Sequence, residues 1–535
     1  MTHWPCPRPF ARILPVLLGI TIVAGGCSTP PPPDLGTSLV RLRDPALPIP
    51  QRVDAADEAV EAADAGIIGG TEVWNSLKDL GWSENTPSAL RRRSVELLAT
   101  EGVVADPESV RAFVRLRLPT ESDRAVVAML SAAASDNGWT DATTALSRRL
   151  AVPDSEVDPN RRVEAAALLA LHPNRSLEAT VFDVFLNPDT PAADDRDRWR
   201  AAVRGELWEL LGRLDRDASV RARLLSDEPE VDLPVDARPV LACLRRGVRD
   251  LGVVPDTAAE LAWLERLCDS SDTNASWWSE VSSVVDSVPL GRRLGVGLRH
   301  LEPMRWAAAH RPRWLRATRD ELLLEFRGAI ADRRHEYRTA QMGPASRARS
   351  RERLEDWEDR LRWGDVLALL VVDASLGEPA LFEQVFRFAD LDRGDEGTEY
   401  GGIIEALDTV ASGSPGLIGL DPSGGAFRAV LFPPRSRDRG NDEVFVASFD
   451  MIRQSDRALL HFHQQVQRVN NDRFAGPSEG DLAYARRSGR TCLVFTSVGD
   501  DELNVDVYQP NGVVVDLGTF ERPEAGARVS MGSRW

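Results

Sequence analysis

The sequence predicts a multidomain chain, an all-α region followed by an α/β (α+β) domain. Three observations lead there. At 535 residues the chain is longer than one hydrophobic core usually serves. Between about residue 55 and residue 360, apolar positions recur every three or four residues, with short Pro, Asp and Asn breakers between the runs. From Asp365 onward, short apolar runs separated by Gly and Asp turns replace that pattern. The composition, 43% hydrophobic and 28% charged, is that of a folded body rather than a disordered one. A formal net charge of -18 repels phosphate backbones, which excludes nucleic acid as the expected partner.

The N-terminus reads as an export signal. Arg8 and Arg12 precede an apolar run, Ile13 to Val23, that is short for a membrane-spanning helix. Ala24-Gly25-Gly26-Cys27 closes it, and small residues before a cysteine at this place resemble a bacterial lipobox. The resemblance implies that residues 1–26 are removed and that Cys27 carries lipid, so the protein is anchored in the cell envelope. Ser28 rather than Asp follows, which by the same resemblance implies the periplasmic side of the outer membrane in a cell with two membranes. Residues 27–55 are Pro-rich (Pro30 to Pro33, Pro45, Pro48, Pro50) and predict an extended tether. Of the remaining cysteines, Cys243, Cys268 and Cys492 lack CxxC spacing, so no cysteine zinc site or disulfide framework is expected. Burial as small hydrophobes is the preferred reading, and pairing of Cys243 with Cys268 requires adjacent helices.

Residues 56–317 predict helix after helix. Similar segments recur, such as Arg92-Arg93-Ser94-Val95-Glu96-Leu97-Leu98, Arg124-Ala125-Val126-Val127-Ala128-Met129-Leu130 and Arg162-Val163-Glu164-Ala165-Ala166-Ala167-Leu168. A loose period of roughly 30 to 40 residues resembles a HEAT-like α-solenoid, with an irregular helical bundle left open beside it. Either form suits a scaffold that binds a protein partner. Residues 318–363 predict a charged connector of two long helices, Asp320 to Gln341 and Ala345 to Trp363, around Gly343-Pro344.

Residues 364–520 predict the α/β domain, and residues 521–535 a tail. Val366 to Val372 reads as a strand and Pro379 to Ala389 as a helix. Further strands are expected at Ala426 to Phe432, Glu443 to Ser448, Ala458 to Phe462, Thr491 to Ser497, Leu503 to Tyr508 and Val513 to Leu517.

The chemistry-bearing residues lie in this domain. His461-Phe462-His463 on a strand points two imidazoles to one side, which suits a metal. Ser478-Glu479-Gly480-Asp481 opens a helix, and by itself it is also a plain capping motif. Glu399-Tyr400-Gly401-Gly402 precedes an apolar stretch. Glu, then H-x-H, then S-x-x-D, in that order in one α/β domain, resembles the JAMM motif of MPN/JAB-like metalloproteases. The resemblance implies a catalytic Zn2+ held by His461, His463 and Asp481. It also implies Glu399 as the general base and Ser478 as the donor to the oxyanion, in hydrolysis of a peptide or isopeptide bond. The stretch between His463 and Ser478 is longer than the family's, so Val466 to Phe474 is expected to form an altered specificity loop.

His300 and His310, near Trp306 and Trp314, read as packed or surface histidines. Asp500-Asp501-Glu502 and the acidic run from Asp392 read as turns. The leading expectation is a lipid-anchored extracytoplasmic zinc peptidase. The alternative is a non-catalytic envelope scaffold whose MPN-like domain is an interaction module. A third reading, amidase action on peptidoglycan-type peptides, comes from location alone.

Overall fold

A computed structural model of the chain describes residues 37–99, 106–189, 196–227, 233–269, 271–337, 352–395, 398–407, 425–432 and 445–523. The export signal, Cys27 and residues 524–535 lie outside them. The chain forms two compact units, Met1–Val110 and Arg111–Trp535. The division thus falls early in the helical region rather than at its transition to the sheet. No helix among the described residues is long and apolar enough to cross a membrane.

The first unit corrects the extent of the tether. Helices Ser38–Arg43 and Ile49–Asp64 occupy its second half. Pro48 is the N-cap of the latter and Pro50 lies in its first turn, where the missing N–H costs nothing. Pro48 and Pro50, read as part of an extended linker, therefore start a helix, and Pro30 to Pro33 lie outside the described residues. Its inner face is built from Ala55, Ala56, Ala59, Ala62 and Ala63, small residues at helical spacing that admit close packing.

The second unit continues as short helices, as expected, and then builds the sheet. Cys243 and Cys268 are joined in a disulfide, their Cα atoms 5.9 Å apart. This corrects the preference for two free thiols. The helices Ala237–Arg246 and Ala258–Leu267 pack side by side, which is the condition pairing required.

Three further expectations change. Val366 to Val372 lies in a helix, Trp363–Leu376, buried on nearly every side. A run that is apolar all round has no period to distinguish helix from strand. Glu443 to Ser448 is not a strand where described. Residues 445–448 form a loop entering the Phe449–Gln454 helix. The connector is not two long helices: Arg319–Ile330 is helical, residues 334–337 have no regular secondary structure, and residues 352–362 hold only short 3-10 turns. The sheet edge captures it. Thr519 N donates to Arg334 O (2.7 Å), Glu336 N to Asp516 Oδ2 (3.0 Å) and Asp516 N to Glu352 O (2.8 Å). An edge that would otherwise present bare backbone groups is covered this way.

The sheet has the order β2-β1-β3-β4-β5-β6. The strands are β1 Gly401–Ala406, β2 Phe427–Leu431, β3 Leu460–Gln465, β4 Cys492–Gly499, β5 Glu502–Tyr508 and β6 Val514–Glu521. Among the described strands only β3 and β4 pair in parallel; the other neighbours are antiparallel. One face is apolar. Phe382 of the helix Pro379–Arg393 meets Phe495 and Phe520 there, with centroids 6.3 and 4.9 Å apart, and Phe388 stacks on Phe462. The other face carries His461, His463, Cys492, Val494, Asp506 and Tyr508. The helix Glu479–Ser488 covers part of it through Leu482, Tyr484 and Ala485.

The helical part and the sheet meet at a polar seam. Arg266 forks onto Asp456 (2.8 to 3.0 Å), and Trp263 Nε1 donates to Asp456 O at 2.8 Å. Arg490 lies over the Trp263 ring, 3.3 Å from its centroid, and donates to Ser455 O at 2.6 Å. Gly489 has φ 71°, and a Cβ there would meet Glu260 at 2.2 Å. Glu260 is buried in this seam beside Asp256, and burial followed by that charge pushes its pKa up to about 7. The native state thus holds a proton that the unfolded chain releases near 4.5. The stability it contributes is fully present below pH 4.5 and is lost as pH rises through 7. The full difference is about 3 kcal/mol. Chemical denaturation across that range should show this decline, and Glu260→Gln should remove that component of it.

Candidate metal centre

Strand alternation in β3 puts His461 and His463 on one face. In register, His463 lies opposite Gly401 on β1 and Val494 on β4, and His461 lies opposite Ile403 and Cys492. The histidines fall in mid-strand, because β3 runs to Gln465 rather than ending at Phe462. Gly401 lets β1 and an aromatic ring come close. A Cβ there would sit 2.4 Å from the Phe445 ring and 2.6 Å from Phe462 O. The Phe445 ring instead lies nearly parallel to the His463 imidazole, with centroids 6.0 Å apart.

Two carboxylates converge on His463. Glu399, two residues before β1 and 4% exposed, places Oε1 3.4 Å from His463 Nε2. Asp481 places Oδ1 3.5 Å from the same atom. Ser478 is the N-cap of the Glu479–Ser488 helix and forms a full capping box with Asp481. Its N and Oγ each donate to Asp481 Oδ2 at 2.7 Å, and Asp481 N donates to Ser478 Oγ at 3.3 Å. Asp481 therefore caps with one oxygen and turns the other to His463. The capping reading and the site reading of this motif describe one geometry.

Two tyrosines complete the site, and sequence reasoning missed both. Tyr484 OH lies 2.7 Å from His461 Nδ1, and Tyr508 OH lies 3.2 Å from His463 Nδ1. Tyr484 stands one helical turn after Asp481, a spacing that could have pointed to it. Tyr508 reaches His463 through the β4–β5 pairing, which no local spacing reveals. With each Nδ1 engaged, the two Nε2 atoms are buried and lack a hydrogen-bond partner. Burial, and for His461 also the charge of Arg490, holds both imidazoles below the ordinary histidine pKa, so they are neutral at neutral pH. For His463 the Asp481 charge opposes this in part.

The donor chemistry fits zinc: two neutral imidazoles with available Nε2 atoms, each backed at Nδ1, and a carboxylate oxygen beside them. Among the described residues, however, no group of three or more His, Cys, Asp and Glu side chains is already arranged to hold a metal ion.

The segment Val466 to Phe474 packs onto the ends of β3 and β4. Asn471 N donates to Ser497 O (2.7 Å), Asn471 Nδ2 to Gln465 O (3.1 Å) and Ser497 Oγ to Val469 O (3.0 Å). His300 is a buried core histidine. Gly297 N donates to its Nδ1 and its Nε2 donates to Asp365 Oδ1, linking two helices. No family model, curated protein or solved structure matches the chain.

Proposed function

We propose that the chain is a lipid-anchored, extracytoplasmic zinc metallopeptidase that hydrolyses a peptide or isopeptide bond by a JAMM-type mechanism. The observation that carries this reading is the pair of buried Nε2 atoms of His461 and His463, neither hydrogen-bonded, with the Glu399 and Asp481 carboxylates 3.4 and 3.5 Å from the latter. The Cys243–Cys268 disulfide supports an oxidising compartment, in line with the export signal.

In this reading His461, His463 and Asp481 hold the metal. Bound zinc would supply Lewis acidity and lower the pKa of a water toward neutrality. Glu399 takes the proton of the attacking water and returns it to the leaving amine. Ser478 redirects its hydroxyl hydrogen from Asp481 to the developing oxyanion. Tyr484 and Tyr508 fix the imidazole orientations. The helical part presents a peptide or a protein partner.

The test is a zinc-depleted and zinc-restored full chain against a library of fluorogenic peptides. Hydrolysis that a chelator abolishes and zinc restores is the expected result. No hydrolysis at zinc saturation, or hydrolysis indifferent to chelator, contradicts it. Tyr508→Phe removes the hydroxyl behind His463, and titration against a zinc indicator should show affinity weakened about 10- to 100-fold.

The second reading is a non-catalytic envelope scaffold with an MPN-like interaction domain. The lack of a preformed three-ligand group among the described residues favours it.

A further inference from the structure

The sheet face that carries the histidines continues as a polar surface that the peptidase reading does not use. Asp506 is opposite Val494 on β4 and Asp516 on β6, so it shares a cross-strand row with His463. It is fully buried, and neither carboxylate oxygen has a hydrogen-bond partner. Burial, and after it the charges of Asp516 and Glu352, pushes its pKa well above the ordinary range. Asp516 is well satisfied. Its Oδ1 accepts from Asn504 Nδ2 (2.9 Å) and Gly518 N (2.6 Å). Its Oδ2 accepts from Glu336 N (3.0 Å) and faces His335 Nδ1 (3.2 Å).

Two neutral groups on the same face show the same deficit. Asn504, two residues before Asp506, is fully buried and its Oδ1 has no partner, although its amide is anchored in the cluster through Asp516. Thr496, opposite Asn504 on β4, is fully buried with a partnerless Oγ1. Each such atom costs about 1–3 kcal/mol, and native proteins keep few of them.

A shared proton does not resolve this. Oxygens that share one lie about 2.5–2.7 Å apart and would be hydrogen-bonded. Asp516 and Glu352 act on the Asp506 carboxyl through their charge and not through a hydrogen bond. Oxygens that share a cation at about 2.3–2.6 Å are held farther apart than that. An oxygen-only donor set selects a hard ion over a soft one.

We propose that Asp506, Asn504 and Thr496 form a second cation site, for a hard divalent ion of the calcium type; the carboxylates here are not by themselves a metal-holding group, so the Asn504 and Thr496 oxygens are part of the site. Its place gives it a role. A Cβ on Gly476 would lie 2.9 Å from Glu352 Oε1, so the segment leading to Ser478 and Asp481 rests on this cluster. An ion here would hold that segment against the sheet.

The site is independent of the zinc reading and is tested separately. The chelated full chain is titrated with calcium, with terbium luminescence as a direct readout and thermal unfolding as the second. A rise of about 3 °C or more at a hundredfold excess over Kd is expected. Asp506→Asn should lose both signals, and Thr496→Val, which keeps the shape, should weaken binding. The His461→Ala/His463→Ala variant should keep the calcium response. Loss of that response with the histidines would place the ion in the other site and overturn the proposal. So would a wild type indifferent to calcium, magnesium and manganese together with a more stable Asp506→Asn, which would make Asp506 a buried acid only.

Discussion

Glu399→Gln should lower peptide hydrolysis by about 10²- to 10⁴-fold while the chain keeps its fold and its zinc. The substitution preserves shape and removes the ability to take a proton. Glu399 is buried beside His463 Nε2, where no bulk water can replace it as a base. In the proposed ligand set it does not hold the metal, so zinc content separates its role from those of His461, His463 and Asp481. Equal hydrolysis in the variant would remove Glu399 from the mechanism. Loss of zinc together with activity would make it a ligand instead of a base.

Gly402→Ala should be the most damaging small change in the sheet. A Cβ there would sit 2.0 Å from Val430 O on β2, and 2.8 Å from the Phe462 ring on β3. The nearest atom is backbone, held in register by the β1–β2 pairing, so no rotamer change relieves it. Overpacking of a core typically costs about 1–3 kcal/mol, and displacing a central strand from both neighbours puts this case at or above the upper end. Denaturant unfolding of the variant checks this. A change below about 0.5 kcal/mol, the range of ordinary surface substitutions, would mean that β1 shifts freely and does not position Glu399.

The residues of the candidate site were legible because their spacing follows strand and helix periods. His461 and His463 alternate on β3, and Ser478 and Asp481 are three apart at a helix start. Glu399 was legible as the acid two residues before a Gly-Gly pair, and the close approach of β2, β3 and Phe445 explains that pair. Tyr508, Arg490 and Asp506 were not legible, because cross-strand pairing and the seam with the Ala258–Leu267 helix bring them into place. The Trp363–Leu376 helix was misread because burial on all sides erases its period. The charged connector was misread because its polar groups are used on the β6 edge instead of in helical turns. The seam also means that the sheet shares one compact unit with most of the helical part, so the site should be assayed in the full chain.

Bound zinc, measured by elemental analysis of the full chain beside a His461→Ala/His463→Ala variant, tests the central claim most directly. About one zinc per chain in the wild type, lost in a variant that remains folded, is the expected result. No zinc in either, with both folded and the wild type exposed to excess zinc, would contradict it and leave the chain an envelope scaffold.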